Sequence, residues 1–140
     1  KRLLPIFKAS FFVPLFGDGS TKFQPVFIDD VSLAVDEIIN SKINGKNIYE
    51  LAGPRIYSYK EFFNQISEYL KKTRVFVPVP MALMKPMINI AEKTPFSPLT
   101  SEQLTLFEKD NLIVNVDKSF QNLNINPQDT LQILKNIVAN

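Results

Sequence analysis

Residues 22–39 change from a strand pattern to a helix pattern at a pair of adjacent aspartates. Aromatic and β-branched residues surround Pro25 in residues 22–28. This predicts a strand at a sheet edge or a strand start, since proline cannot donate to a ladder. The next apolar residues have the i, i+3, i+4, i+7, i+8 spacing of one helix face: Val31, Ala34, Val35, Ile38 and Ile39. We expect Asp29 or Asp30 to cap this helix and Asn44–Gly45 to end it.

Residues 47–51 form a second predicted strand, which Gly53 and Pro54 end. Two strands joined by one helix make a crossover unit, and such units are parallel and right-handed. The order of elements therefore predicts an α/β fold. Because two or three parallel strands leave unpaired edges, we expect the chain to join a larger sheet or to self-associate through the exposed edge.

The second half of the chain is predicted to be mostly helical. Two capping boxes, Ser58–Glu61 and Thr100–Gln103, predict helix starts, because in each the first side chain and the fourth satisfy each other's backbone N–H. Asn126 is predicted to cap the last helix, with Pro127 in its first position and Asp129 complementing the helix dipole.

Other segments have weaker patterns. Leu3–Phe12 is predicted as a short helix or an apolar arm, and residues 17–20 as a turn. Residues 74–80 are predicted to be extended. Residues 81–92 are predicted as a helix interrupted near Pro86, with three methionines that suit either an adaptable contact with a partner or membrane, or the core of the lobe.

Composition excludes several kinds of chemistry. The chain of 140 residues contains no Cys and no His, which rules out disulfides, zinc sites of the usual type and a Ser-His-Asp relay. Its formal net charge is only +2 and its basic residues are dispersed, so we expect no nucleic-acid partner. No apolar run approaches the length of a membrane span. We also expect no metal site.

The sequence motifs of dinucleotide-dependent reductases are absent too. Gly17 and Gly19 are followed by turn and strand residues, so they predict a hairpin turn and not a pyrophosphate-binding loop. The four tyrosines lack the Tyr-x-x-x-Lys pairing, because the residues four positions on are Gly53, Glu61, Phe63 and Thr73. We therefore expect no catalytic and no cofactor-binding residue in this chain.

Four segments, residues 14–19, 24–31, 48–54 and 57–61, in this order and spacing, resemble the C-terminal half of extended or atypical short-chain dehydrogenase/reductases, the NAD-dependent epimerase/dehydratase family. The resemblance implies the C-terminal part of a Rossmann-type fold, with a few short, mainly parallel strands and about five helices. Residues 1–140 would form a single substrate or cap lobe, and the Gly-rich nucleotide-binding half would be missing from the chain.

The later segments 94–104, 109–114 and 123–127 resemble the tail of the dehydrogenase-like accessory subunit of respiratory complex I and its bacterial relatives. In this pattern Asn124 stands where the family has Gly, which predicts a left-handed backbone there. The resemblance implies an accessory or assembly subunit whose full-length parent binds NAD or NADP. The alternative is the substrate-binding lobe of a nucleotide-sugar epimerase, dehydratase or reductase.

The same resemblance suggests partners and a location. The partners would be the missing Rossmann half, other respiratory-complex subunits or the membrane surface. The location would be a bacterial cytoplasm, peripheral at the inner membrane. Three residues are candidates to face a substrate: Gln24, Arg55 and Tyr57. Each has a structural alternative, namely strand pairing for Gln24, a solvated cation for Arg55 and helix packing for Tyr57.

Overall fold

The computed structural model describes residues 11–41, 45–93, 100–114 and 116–139. The chain divides into two compact units. The first takes its described residues from 1–22 and 58–111, and the second from 23–57 and 112–140. Most of the predicted Leu3–Phe12 segment and the predicted helix end at Asn44 lie outside the described residues.

Two parallel strands, β1 (Phe12–Phe16) and β4 (Val75–Val79), pair in the first unit. Phe12 lies opposite Val75 and Phe16 opposite Val79. The strand predicted at 74–80 is confirmed, whereas Phe12 belongs to a strand and not to a helix or arm. The reason is alternation, since Val13 and Leu15 are buried while their neighbours Phe12 and Pro14 face outward.

Three helices complete this unit: α2 (Tyr59–Tyr69), α3 (Met81–Ala91) and the short α4 (Ser101–Leu104). Both predicted capping boxes are confirmed. The Ser58 hydroxyl accepts from the Glu61 N–H at 3.2 Å, and the Glu61 carboxylate accepts from the Ser58 N–H at 2.9 Å. The Ser58 N–H and then the Ser58 hydroxyl, which both donate to this carboxylate, lower the pKa of Glu61.

Helix α3 continues through Pro86, so the predicted interruption is wrong. Proline removes one intrahelical hydrogen bond, and apolar contacts on either side of it hold the helix together. Met84 and Ile88 are buried in a cluster with Phe16, Leu104 and Phe107. Met84 therefore belongs to the core, whereas Met87 is exposed along with Leu83 and Ile90. A contact of this exposed face with a partner or membrane stays a prediction.

The second unit contains α1 (Ile28–Asn40) and α5 (Thr130–Ala139), with two short 3-10 helices, Val116–Lys118 and Phe120–Leu123, described before α5. Its core joins Ala34 of α1 to Phe120 and Leu123, which belong to a 3-10 turn. Asn124 follows that turn with φ 53°, which confirms the predicted left-handed conformation. Within the described residues the fold thus has five α-helices and a parallel strand pair, as predicted.

The predicted strands at 22–28 and 47–51 are not formed as such. Only β2 (Lys22–Phe23) is a strand, and it pairs with β3 (Tyr57–Ser58). A strand needs a neighbouring ladder, and these segments instead make single contacts with distant loops. The Glu50 N–H, for example, donates to the Lys118 carbonyl at 2.9 Å.

Two predicted helix caps are also wrong. Helix α1 begins after Phe27 without a side-chain cap, and Asp29 and Asp30 lie in its first turn. The last helix begins at Thr130, and the Asp129 carboxylate accepts the Leu131 N–H at 3.0 Å. The aspartates retain the favourable interaction of an anion with a helix N-terminus. At α1 the Asp30 carboxylate makes tertiary hydrogen bonds in place of a local cap, whereas at α5 the local cap is Asp129 and not Asn126.

No helix in the described ranges is both long and apolar enough to cross a membrane.

Candidate functional site

Gln24 joins three segments of the second unit through one side chain. Its Nε2 donates to the Gly53 carbonyl at 3.3 Å, and its Oε1 accepts from the Ile113 N–H at 3.2 Å. The amide thus supplies a donor and an acceptor to two backbones that would otherwise lack a ladder partner. Gln24 lies outside a strand, so it does not pair as a strand residue; its side chain bridges two backbones instead.

Gly53 is required by a close approach of two backbones. A Cβ at this position would lie 2.0 Å from the Pro25 carbonyl oxygen. No side chain could turn away from such a contact, because the Cβ position is set by the backbone. Glycine therefore allows the 24–26 and 52–54 segments to pack directly against each other.

A cavity of about 450 Å³ lies beside this contact. Gln24, Gly53 and Pro54 line one part of it, and Ile113 and the 119–127 loop line the rest. The volume falls within the range of about 300–1,000 Å³ that is typical of small-molecule sites. Its described lining contains no ionisable side chain.

Tyr57 and Arg55 converge on one carboxylate. The Tyr57 hydroxyl lies 3.0 and 3.1 Å from the two oxygens of Asp129 and donates to that group, and the Arg55 Nε lies 3.3 Å from its Oδ2. Tyr57 is only 5% exposed. Burial, and then the Asp129 carboxylate, raise the pKa of the Tyr57 hydroxyl. Arg55 is largely solvated and, with Asp129, lines a second hollow of about 460 Å³.

The residues on either side of Asp129 are tied down as well. Gln128 donates to Asp30 twice, from its backbone N–H at 2.8 Å and from Nε2 at 3.1 Å. The Thr130 hydroxyl donates to the Pro25 carbonyl at 3.1 Å. Three consecutive residues therefore anchor the start of α5 to three separate upstream segments.

Sequence reasoning missed the two aspartates at the centre of these contacts. Asp30 was assigned to a local cap and Asp129 to a helix dipole, since both stand next to predicted helix starts. Their partners lie 98 and 72 residues away. No short-range pattern indicates such pairings. The two adjacent aspartates were a usable signal, because a helix start has only one capping position and the other aspartate then needs a different partner.

The glycine turn predicted at residues 17–20 is present, with Gly17 and Gly19 at positive φ. The glycine turn after β1 closes on itself, because the Gly19 N–H donates to the Phe16 carbonyl and the Lys60 N–H donates to the Gly19 carbonyl. A Cβ on Gly19 would lie 3.1 Å from both Leu15 and Lys60. Within the described ranges, no group of three or more acidic residues could hold a metal ion.

Comparison with known proteins shows two curated relatives of this lobe. The chain is 31% identical over 129 residues to the Arabidopsis thaliana mitochondrial NADH dehydrogenase [ubiquinone] 1 alpha subcomplex subunit 9. The matched region covers 83% of this chain and 31% of the relative. It is also 28% identical over 109 residues to the Neurospora crassa mitochondrial NADH-ubiquinone oxidoreductase 40 kDa subunit. That matched region covers 77% of this chain and 29% of the relative. The chain therefore spans about a third of the length of these relatives. No family model matches it.

Solved structures show the fold. The Citrobacter sp. triphenylmethane reductase superposes with a TM-score of 0.73 at 18% identity, over 100% of this chain and 48% of that one. The fold is that of the C-terminal part of a Rossmann-type short-chain dehydrogenase/reductase.

A second structure of that reductase, complexed with NADP(H), superposes on this dehydrogenase/reductase lobe with a TM-score of 0.72 at 19% identity, over 97% of this chain and 48% of that one. The predicted resemblance to the short-chain dehydrogenase/reductases and to the complex I accessory subunit is confirmed. Both sequence relatives are mitochondrial, so the bacterial, cytoplasmic location stays a prediction.

Proposed function

We propose that this chain is the C-terminal lobe of a longer NAD(P)-binding protein that serves as an accessory or assembly subunit of a complex I-type NADH:ubiquinone oxidoreductase. The similarity over 83% of the chain to a subunit of that enzyme carries the proposal. The nucleotide-binding half belongs to another part of the full protein, and the lobe performs no catalysis by itself.

Exposed apolar residues on α1 support a lobe that packs against further protein. Ile28, Val35 and Ile39 are 67%, 50% and 71% exposed. Their spacing of i, i+7 and i+11 places them on one side of the helix. Large apolar side chains lying together on one helix face are typical of a surface that another part of a fold or complex covers.

The assembly role predicts where the full-length protein is found. Antibodies against this chain should detect it in detergent-solubilised membranes, comigrating on native gels with NADH:quinone oxidoreductase activity. Its location would then be peripheral at the membrane that carries the complex. Migration only as a separate soluble species, with the activity elsewhere, would overturn the assembly role.

The lobe role has its own test. In calorimetry the 140-residue chain should give no stoichiometric binding of NADH or NADPH, and co-expression with a Gly-rich Rossmann half should restore it. Binding by the isolated chain would contradict this division of labour. Light scattering across concentrations tests the predicted self-association through exposed sheet edges, and a strictly monomeric mass would contradict it.

A second candidate function is the substrate lobe of a nucleotide-sugar epimerase, dehydratase or reductase. The cavity beside Gly53 supports it, because a volume of about 450 Å³ with an uncharged described lining suits the sugar part of such a substrate. In this alternative Gln24, Arg55 and Tyr57 border the substrate. The decisive observation is the rest of the protein's sequence, where a Gly-rich turn together with a Tyr-x-x-x-Lys pair would support catalysis and their absence would exclude it.

A further inference from the structure

The cavity beside Gly53 differs chemically from the hollow next to it. Arg55 and Asp129 line the second hollow, whereas the described lining of the cavity is entirely uncharged. A charged ligand placed in the cavity would lose hydration without gaining an ionic partner. The cavity therefore selects against carboxylates, phosphates and ammonium groups.

Three carboxamide side chains line the cavity besides Gln24: Gln121, Asn124 and Asn126. All three are exposed, and within the described structure their amide groups make no side-chain hydrogen bond to another residue. Each carboxamide offers a carbonyl acceptor and two N–H donors. The best complement is a group that also presents a donor and an acceptor side by side, as an amide does.

Apolar residues supply the rest of the lining. Phe120 is 3% exposed and belongs to the core of the unit, and Ala52, Ile113 and Ile125 are buried or half-buried. The backbone around the cavity is held by the Gln24 bridge and by the contact at Gly53. An apolar surface with a few convergent polar groups is typical of a small-molecule site.

We propose that this cavity binds an uncharged aromatic amide, whose ring packs on the apolar lining while its amide edge exchanges hydrogen bonds with the carboxamides of Gln121, Asn124 and Asn126. The inference does not depend on the proposed function, because it concerns the chemistry of the cavity and neither the nucleotide-binding half nor a respiratory complex. It also assigns a ligand class that differs from the charged dinucleotide of the parent fold.

Three probes of nearly equal shape test the charge selectivity: benzamide, benzoate and benzamidine. Titrated into the ¹⁵N-labelled 140-residue chain, benzamide should shift the side-chain NH₂ signals of the three carboxamides with a Kd in the millimolar range expected of so small a ligand. Benzoate and benzamidine should bind at least about tenfold more weakly, since each carries an unpaired charge into the cavity.

Charged variants of the lining sharpen the test. Asn126→Asp keeps the shape but replaces the amide by a carboxylate, so benzamide should bind several-fold more weakly and benzamidine more tightly than to the unchanged chain. Gln121→Glu should act in the same direction. Asn64→Asp, on the exposed face of α2 in the first unit, should change neither affinity.

Each contrary result overturns the proposal. The first two are the lack of a saturable NMR shift with benzamide and shifts confined to residues outside the cavity. The other two are equal affinity for the three probes and an unchanged order of probe affinities in both charged variants. The NMR spectrum of each variant shows directly whether it is folded. An unfolded Asn126→Asp chain leaves Gln121→Glu and the three-probe comparison to decide.

Discussion

The carboxylate of Asp30, only 1% exposed, accepts two hydrogen bonds from Gln128, which lies 98 residues further along the chain. A buried carboxylate is tolerated only when its lone pairs are satisfied. Here the backbone and the side chain of a single residue satisfy it. The pair therefore links the first turn of α1 to the segment that leads into α5.

Asp30→Asn should lower the free energy of unfolding by about 2–3 kcal/mol, because the amide nitrogen turns a donor toward a donor and the charge-assisted bonds are lost. Asp29→Asn is the matched control. Asp29 is the exposed neighbour in the same helix turn, so its variant loses only the dipole interaction of about 0.3–1 kcal/mol. Urea denaturation followed by circular dichroism compares the two, and equal losses would contradict the role of the Gln128 contact.

Tyr57→Phe should lower the free energy of unfolding by about 1–3 kcal/mol at neutral pH, the usual value for a buried hydrogen bond to a charged group. The difference should shrink as the pH rises. The folded pKa of Tyr57 is raised, so the unfolded chain ionises first, and the stabilisation is lost above the ordinary tyrosine pKa of about 10. Denaturation curves at pH 8 and above pH 10 measure this, and a pH-independent difference would refute it.

Asp129→Asn should be far more destabilising than Arg55→Ala. Asp129 accepts from the Tyr57 hydroxyl and the Leu131 N–H, and it pairs with Arg55. The Arg55 side chain is 69% exposed, so its ion pair contributes about 0–1 kcal/mol. If thermal denaturation showed the Arg55 variant to be the less stable of the two, the assignment of Asp129 as the central acceptor would fail.

Gly53→Ala should lower the free energy of unfolding by more than about 3 kcal/mol, because its Cβ would overlap the Pro25 carbonyl oxygen, and no side-chain rotation can relieve that contact. Gly17→Ala provides the contrast. Gly17 has a φ of +61° but nothing within 4 Å of its Cβ position, so its variant pays only the left-handed backbone penalty of about 1–2 kcal/mol. Chemical denaturation ranks the two, and the reverse order would show that the 24–26 and 52–54 segments can separate cheaply.

Local patterns predicted the parts of this fold that depend on neighbouring residues. Ser58 and Glu61 stand three positions apart, so their capping box forms wherever the helix starts. Asn124 needs only its own backbone preference to adopt a left-handed conformation. The prediction failed for residues 47–51, because a strand there depends on groups far away in the chain. It also failed for Asn126, because α5 begins only at Thr130, where Asp129 accepts the Leu131 N–H.

The candidate site followed the same division. That Gln24, Arg55 and Tyr57 face a substrate stays a prediction; the structure shows Gln24 bonded to Gly53, and Arg55 and Tyr57 both bonded to Asp129. Their partners were not predictable. Asp129 and Ile113 approach them only once the chain has folded, and hydrogen bonds over such separations leave no periodic trace in the sequence.

By itself the amino-acid sequence determined the kind of chemistry that this chain lacks, the helix starts at Ser58 and Thr100, and the dehydrogenase/reductase resemblance, since each depends on residue types and short spacings. Only the tertiary structure decided that β1 pairs with β4, that Asp30 and Asp129 anchor α5, and that an uncharged cavity lies beside Gly53. The physical reason is that burial and hydrogen bonding act through space, and a chain brings distant residues together only by folding.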